Sequence, residues 1–190
     1  MAILKDLCVA VLATDGFEES ELVDTCRALR EAGAQVDIIS PKIGEIQSFK
    51  HLDKSMSILV SRTLEEVKLD EYQSLLLPGG ALNADALRAD PEACALVKAM
   101  NDAGKPIAAI CHAPWLLISA GLVKGRTLTS FPSIKDDLIN AGANWVDREV
   151  CVDGNWVTSR KPDDIPAFNR EMIKLFAQSL ASSRSIAESA

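Results

Sequence analysis

The chain has 190 residues, of which 48% are apolar, so it is long enough for one domain with a sizeable hydrophobic core. Its formal net charge of −7 argues against nucleic acid as a partner, because nucleic-acid binding needs a clustered basic surface. The five cysteines have no CxxC or Cys/His ligand spacing, so we expect neither a disulfide framework nor a zinc site, and we expect a cytoplasmic protein. The N-terminus lacks a signal-peptide pattern and no apolar run is long enough to span a membrane, so no membrane partner is predicted.

The predicted secondary structure alternates between strands and helices. Continuous apolar runs predict buried strands, and apolar residues at helical spacing predict helices with one buried face. The first predicted elements are a strand at 7–13, a helix at 18–32, strands at 36–40, 57–60 and 74–77, and a helix at 90–102. A strand at 107–110, a helix at 115–120, strands at 126–130 and 149–152, and a last helix from Asp163 or Asp164 to about residue 180 follow.

Strands that alternate with helices predict an α/β fold, a three-layer sandwich with a mostly parallel central sheet. Residues 41–56 are largely polar and are expected to form a small excursion or a hairpin, and residues 153–156 are predicted to form a tight turn. We expect one domain over residues 1–180, followed by a polar, serine-rich tail at 181–190 that is frayed.

The segment at residues 105–118 carries the strongest chemical signal. An apolar run of strand length stops at Cys111, small residues and Pro114 follow, and an apolar helix comes next. Such a sharp turn between strand and helix places the turn side chain beyond the end of the sheet, near a helix N-terminus that favours thiolate over thiol. His112 is then a candidate proton carrier. The alternative is a buried structural cysteine, which is common for this residue type.

Two acidic residues follow the first predicted strand. Glu18 and Glu21 are three residues apart at a helix start, so they can share one face of the helix. A glutamate that faces Cys111 could hydrogen-bond the sulfur or exchange a proton with it. The alternative is that both acids only complement the helix dipole.

A glycine pair follows the strand at 74–77. The N–H groups of Gly79 and Gly80 can turn toward a ligand, and with the N–H of His112 they would form an oxyanion hole. The alternative is an ordinary loop. The carboxyl ends of parallel strands meet at one edge of a sheet, so we expect the glycines, the acids and the cysteine to converge. The second histidine, His51, lies in a polar stretch and is predicted to be a surface residue.

The sequence resembles the PfpI/ThiJ superfamily of class I glutamine-amidotransferase-like proteins, which includes the Parkinson-linked deglycase. Within it, the chain is most similar to the PfpI branch of intracellular cysteine peptidases and bacterial stress proteins. The resemblance extends from about residue 6 to residue 180 and implies a flavodoxin-like sheet. The segments that carry it are residues 18–21, 76–80, 109–112, 130–143 and 152–160.

The resemblance implies a role for each candidate residue. Cys111 matches the nucleophile and His112 the adjacent histidine. Glu21 matches the glutamate that contacts the sulfur, and Glu18 is the other candidate. In PfpI-type peptidases the acid that orients the histidine comes from a neighbouring subunit, and Asp85 fits that position best, although this chain is one residue longer there.

The resemblance further implies a homodimer or a hexamer and chemistry without a metal or an organic cofactor. It leaves three functions open. The favoured one is a glyoxalase- or deglycase-type enzyme acting on small reactive carbonyls, and the second is a peptidase or amidase whose triad is completed in trans. The third is a non-enzymatic redox-sensing or chaperone-like stress protein in which Cys111 is oxidised. Phe131 stands where some relatives have a tyrosine near the site.

Overall fold

The structure is a computed structural model that describes residues 3–188, with side chains through residue 181. The strands are β1 (Cys8–Leu12), β2 (Phe17–Glu18), β3 (Gln35–Ser40), β4 (Glu45–Lys50), β5 (Asp53–Leu59), β6 (Arg62–Thr63), β7 (Ser74–Leu77), β8 (Ile107–Ile110), β9 (Thr127–Leu128), β10 (Asn144–Trp145), β11 (Val150–Asp153) and β12 (Trp156–Ser159). The helices are α1 (Glu19–Glu31), α2 (Ala81–Arg88), α3 (Pro91–Asp102), α4 (Pro114–Ser119), α5 (Lys135–Asn140) and α6 (Ile165–Glu188).

A seven-stranded central sheet runs in the order β11-β12-β8-β7-β1-β3-β6. Every neighbouring pair in it is parallel except β11 and β12, which are antiparallel. The strands β8, β7 and β1 are therefore adjacent and end at the same edge. This arrangement confirms the predicted α/β class with a mostly parallel sheet.

Helices cover both faces of the sheet, which confirms the three layers. In β1, Val9 and Val11 pack toward α1 and α6, whereas Ala10 and Leu12 pack toward the side covered by α2, α3, α4 and α5. Alternation along a strand sends successive side chains to opposite faces, so a strand buried on both faces has to be apolar throughout. That requirement explains the continuous apolar run at residues 7–13.

Two predicted strands lie outside the central sheet. Residues 57–60 belong largely to β5, which pairs with β4 as a hairpin in a separate three-stranded sheet with β2. The strand predicted at 126–130 is reduced to β9, which pairs only with β10. In the central sheet, β12 lies between β8 and β11, and β9 lies outside that sheet. Trp156 begins β12 instead of ending the predicted turn.

The helical predictions were incomplete. The helices α2 and α5 were missed, because each is short, with eight residues in α2 and six in α5. Asp163 and Asp164 lie in a 3-10 turn before α6, where Asp164 accepts a hydrogen bond from Arg160 Nε at 2.8 Å. The helix α6 continues to Glu188 instead of ending near residue 180, since no glycine or proline follows residue 166 to end it. Residues 181–188 of the predicted tail are therefore helical, and residues 189–190 lie outside the described residues.

Within residues 3–188, none of the helices combines the length and the apolar character that crossing a membrane would require.

Candidate active site

A cavity of about 560 Å³ lies at the carboxyl ends of β1, β7 and β8. The segments that follow these three strands contribute the acids, the glycine pair and the cysteine, so the predicted convergence is found. The turn of the β4–β5 hairpin forms a further wall. The lining residues are Gly16, Glu18, Glu21, Phe49, His51, Leu52, Gly80, Ala81, Leu82, Cys111, His112, Phe131 and Pro162.

Cys111 occupies the sharp turn between β8 and α4. Its φ angle is +63°, a left-handed conformation that is uncommon for a residue with a Cβ atom and that costs conformational energy. Two long-range hydrogen bonds hold this backbone: the Cys111 N–H donates to the Ser159 carbonyl at 3.0 Å, and the Phe131 N–H donates to the Cys111 carbonyl at 2.9 Å. The residue is only 6% exposed and lines the cavity.

The His112 imidazole has aromatic contacts to two side chains and a polar contact at each nitrogen. Its Nδ1 lies 3.1 Å from Cys111 Sγ, and its Nε2 lies 3.2 Å from Ser133 Oγ. The ring stacks on Phe131 with centroids 4.7 Å apart and meets Trp115 edge to face at 5.3 Å. Burial lowers the pKa of His112, so the neutral imidazole, which can accept a proton, is favoured near neutral pH.

Glu21 is the acid that reaches the sulfur. Its side chain is fully buried in the first turn of α1, and Oε2 accepts a hydrogen bond from the Gly79 N–H at 2.9 Å. Oε1 makes no well-aligned hydrogen bond within the described residues, and the carboxyl interacts with the Cys111 side chain. Burial raises the pKa of Glu21 to about 8, and the negative charge of Glu18 adds to the rise. A proton is therefore available on Glu21 near neutral pH.

The Cys111 thiol is protonated at rest. Burial, and then the negative charge of Glu21, raise the pKa of Cys111, while the backbone N–H groups of Gly80 and His112 oppose that rise. The backbone N–H groups act in the direction expected of a helix N-terminus, but α4 has only six residues and burial opposes them more strongly. Nucleophilic attack from this site thus requires transfer of the thiol proton to His112, because Glu21 already holds a proton near neutral pH.

The structure leaves two of the three predicted oxyanion donors available. The Gly79 N–H is engaged by Glu21, which argues against the expected role of Gly79 as an oxyanion donor. The N–H groups of Gly80 and His112 both face the sulfur, so they stay as the predicted donors. Gly80 has φ +92°, and a Cβ atom there would lie 2.2 Å from the Gly16 carbonyl oxygen, so the close approach requires glycine.

Replacing Gly79 with alanine is expected to destabilise the protein by roughly 2–4 kcal/mol and to displace the site. The new Cβ atom would lie 2.5 Å from Glu21 Oε2 and 2.6 Å from Cys111 Cβ. Urea unfolding of this variant checks the prediction. The control is Gly125→Ala, which meets no atom within 4 Å and loses only the benefit of glycine at φ +77°. A smaller loss at Gly79 than at Gly125 would contradict the steric argument.

The Glu18 side chain bonds the hairpin turn that forms one wall of the cavity, and it does not bond the sulfur. Its Oε2 accepts a hydrogen bond from the His51 N–H at 3.1 Å, which ties the hairpin turn to the cavity rim. His51 is exposed, as predicted for a surface residue, yet its turn also lines the cavity together with Leu52. Of the two acids that the sequence left open, the structure places Glu21 beside Cys111.

One predicted site residue, Asp85, does not contact the site within the chain, and two residues at the site, Ser133 and Leu52, were not predicted. Asp85 is exposed on α2 and forms no hydrogen bond with His112 within one chain, so its role in trans stays a prediction. Ser133 was missed because it follows Cys111 by 22 residues, and Leu52 was missed because it belongs to a hairpin that local patterns left undefined.

Among the residues that the structure describes, no group of three or more His, Cys, Asp or Glu side chains could hold a metal ion.

Several known proteins are similar to this chain over most of its length. A protein of Pyrococcus abyssi named a deglycase is 47% identical over 167 residues, which cover 88% of this chain and 98% of that protein. General stress protein 18 of Bacillus subtilis is 41% identical over 168 residues (88% and 96% covered), and YraA of the same organism, provisionally named a cysteine protease, is 43% identical over 167 residues (88% and 96%). The crystal structure of Drosophila melanogaster DJ-1beta has a TM-score of 0.78 at 29% identity, covering 92% of this chain and 97% of that one. Because residues 8–175 also match the family as a whole, the chain belongs to the DJ-1/PfpI family.

Proposed function

We propose that this protein is a cofactor-independent cysteine enzyme that acts on small reactive carbonyls, as a glyoxalase or a deglycase. One observation carries the proposal: the Cys111 thiol lies between the His112 imidazole and the Glu21 carboxyl at the base of a cavity with mostly apolar walls. A nucleophile with two adjacent proton carriers is what carbonyl addition followed by a proton shift requires. The deglycase name of the Pyrococcus abyssi relative supports the same class.

The chemistry can be followed on methylglyoxal. As Cys111 Sγ bonds to the aldehyde carbon, the thiol proton passes to His112 Nδ1, and the carbonyl oxygen becomes an oxyanion held by backbone N–H groups. Protonation of that oxygen gives a hemithioacetal. A proton then moves from the aldehyde carbon to the neighbouring ketone carbon through an enediol, which oxidises the first carbon and reduces the second. Water hydrolyses the resulting thioester to lactate and returns the free thiol.

Glu21 is suited to that proton shift. Its carboxyl is buried beside the sulfur, and a pKa near 8 lets it both give and take a proton close to neutral pH. A deglycase reaction on an early glyoxal adduct needs the same thiol addition and the same proton carriers. The cavity of about 560 Å³ admits a small carbonyl compound or the modified end of an amino-acid side chain.

A peptidase or amidase that uses the same thiol is the second candidate, and the name of YraA is the observation that favours it. The hairpin turn at His51 and Leu52 narrows the cavity on one side, which suits small substrates better than an extended peptide. The redox-sensor alternative is weaker, because sensor cysteines are exposed and have low pKa values, whereas burial raises the pKa of Cys111.

Lactate formation from methylglyoxal by the purified protein, measured beside casein cleavage, tests the proposal. Lactate without casein cleavage is the expected result. Cleavage without lactate would transfer the function to the peptidase class, and neither product would refute both enzymatic accounts.

We further propose that the protein works in the cytoplasm as a homodimer or a hexamer. All five cysteines, which lie within the described residues, are free thiols, as a reducing compartment requires. Asp85 is exposed and thus accessible to a second copy of the chain. Sedimentation of the purified protein measures the assembly, and a monomer would exclude an acid supplied in trans.

A further inference from the structure

The imidazole of His112 connects the buried sulfur to solvent. On its inner side, Nδ1 lies 3.1 Å from Cys111 Sγ, whose residue is 6% exposed. On its outer side, Nε2 lies 3.2 Å from Ser133 Oγ, and Ser133 is exposed at the protein surface. The atoms Sγ, Nδ1, Nε2 and Oγ therefore form one continuous chain of hydrogen-bonding groups from the base of the cavity to water.

The surroundings of the ring restrict it to that orientation. Phe131 stacks on one face, and Trp115 meets the ring edge to face. Trp115 is itself held by a hydrogen bond from its Nε1 to Asp137 Oδ2 at 2.7 Å. These aromatic contacts fix the plane of the imidazole, but they do not distinguish its two nitrogens. The Ser133 hydroxyl supplies the polar contact that distinguishes them.

The structure assigns Ser133 as the residue that positions His112 and forms the outer end of a proton path from Cys111 to solvent. The assignment rests on the proposed function for its effect on turnover. When Sγ adds to a carbonyl carbon, the thiol proton binds Nδ1, the proton on Nε2 passes to Ser133 Oγ, and the hydroxyl releases its own proton to water. The reverse transfers restore the thiol when product leaves.

A serine suits this place because its hydroxyl both donates and accepts hydrogen bonds and carries no charge. The hydroxyl can therefore accept a hydrogen bond from Nε2–H in one neutral tautomer of the imidazole and donate one to Nε2 in the other. A carboxylate in the same position would retain the proton on the ring.

The charged side chains on the surrounding elements contact groups other than the His112 imidazole. The Glu18 side chain bonds the hairpin turn and Glu21 bonds the Gly79 N–H. Arg88 of α2 lies over the ring of Trp115 and Asp137 of α5 bonds its indole nitrogen, so neither bonds the imidazole.

The test compares Ser133→Ala, Ser133→Thr and Asp85→Asn in the full chain. For Ser133→Ala we expect kcat for methylglyoxal to fall about 10-fold with KM unchanged, and added imidazole buffer to restore it by carrying the proton. Ser133→Thr keeps a hydroxyl and should retain near wild-type kcat without a response to imidazole. Asp85→Asn tests the competing partner in trans: a fall of kcat in this variant with none in Ser133→Ala would make Asp85, and not Ser133, the residue that positions His112, and would overturn the assignment.

A second readout does not depend on turnover. In protein labelled with 15N at histidine, the Nε2–H proton of His112 should give a hydrogen-bonded signal in wild type and Ser133→Thr, and lose it in Ser133→Ala. Retention of that signal in Ser133→Ala, or its loss in Asp85→Asn alone, would overturn the assignment. Equal loss of kcat in both Ser133 variants, without rescue by imidazole, would also overturn it. If wild type converts no glyoxal, the proposed function fails, and the NMR signal still decides the position of Ser133.

Discussion

Replacing Cys111 with alanine is expected to abolish lactate formation from methylglyoxal while leaving the protein folded. The Sγ atom is the nucleophile in the proposed reaction, so its removal should lower kcat on the order of 10⁴-fold or more. The backbone should be unaffected, because the hydrogen bonds to Ser159 and Phe131 that hold the elbow involve main-chain groups only at residue 111. Coupled lactate assays and thermal unfolding of both proteins measure the two effects.

Cys94→Ala is the matched control for this experiment. Cys94 is partly buried on α3, where its thiol bonds the Arg88 carbonyl oxygen at 3.6 Å, and it does not line the cavity. The control should keep wild-type turnover and lose at most about 1 kcal/mol of stability. Retained turnover in Cys111→Ala would refute every account in which this thiol attacks the substrate.

The convergence of the site could be predicted from the sequence because it follows from the topology. Continuous apolar runs predicted the strands that became β1, β7 and β8, and parallel strands bring their carboxyl ends to one edge. The residues that interrupt those runs, Gly79, Cys111 and the acids near Glu21, were therefore predicted to meet. The structure brings all three together.

Features that depend on packing between distant segments could not be predicted. The hairpin turn that lines the cavity is set by the pairing of β4 with β5 and by the Glu18 contact with the His51 N–H, 33 residues away. The partner of His112 Nε2 depends in the same way on where the segment after β9 returns to the elbow. Local sequence patterns contain no information on either approach.

The direction of the Cys111 pKa shift is a second feature that local sequence could not predict. The sequence places Cys111 near a helix N-terminus, which favours a thiolate, but that helix has only six residues and the thiol is buried. The desolvation that raises the pKa arises from side chains contributed by several elements around the cavity. The effect of desolvation on the pKa can be compared with that of the helix dipole only once the burial of the thiol is known.

Replacing Glu21 with glutamine is expected to separate the reactivity of the thiol from turnover. Above about pH 8, where Glu21 is ionised, its negative charge and its hydrogen bond both raise the pKa of Cys111, so their loss should lower that pKa and speed alkylation by iodoacetamide there. Turnover should nevertheless fall about 10²-fold, because an amide cannot carry the proton between the two carbons. Rates of alkylation against pH and of lactate formation measure both effects.

The same substitution should also remove a pH dependence of stability. Glu21 holds its proton in the folded state up to a pKa of about 8, whereas the unfolded chain releases it near the ordinary value of 4.5. Between these values the unfolded state binds fewer protons, so wild-type stability should decline as pH rises, by up to roughly 5 kcal/mol. The difference in Tm between wild type and Glu21→Gln should therefore change steadily over this range, in favour of the variant at high pH.

Glu19→Gln is the control for both measurements, since Glu19 lies in the same helical turn but bonds Ser48 and Lys50 on the other side of it. It should leave alkylation and turnover near wild type. Slower alkylation in Glu21→Gln would mean that the carboxylate acts as the base for the thiol, so that its acceptance of the proton outweighs the repulsion of the thiolate. A Tm difference that stays constant between pH 4.5 and 8 would show that Glu21 is ionised in the folded protein and that the proton it needs for catalysis comes from His112.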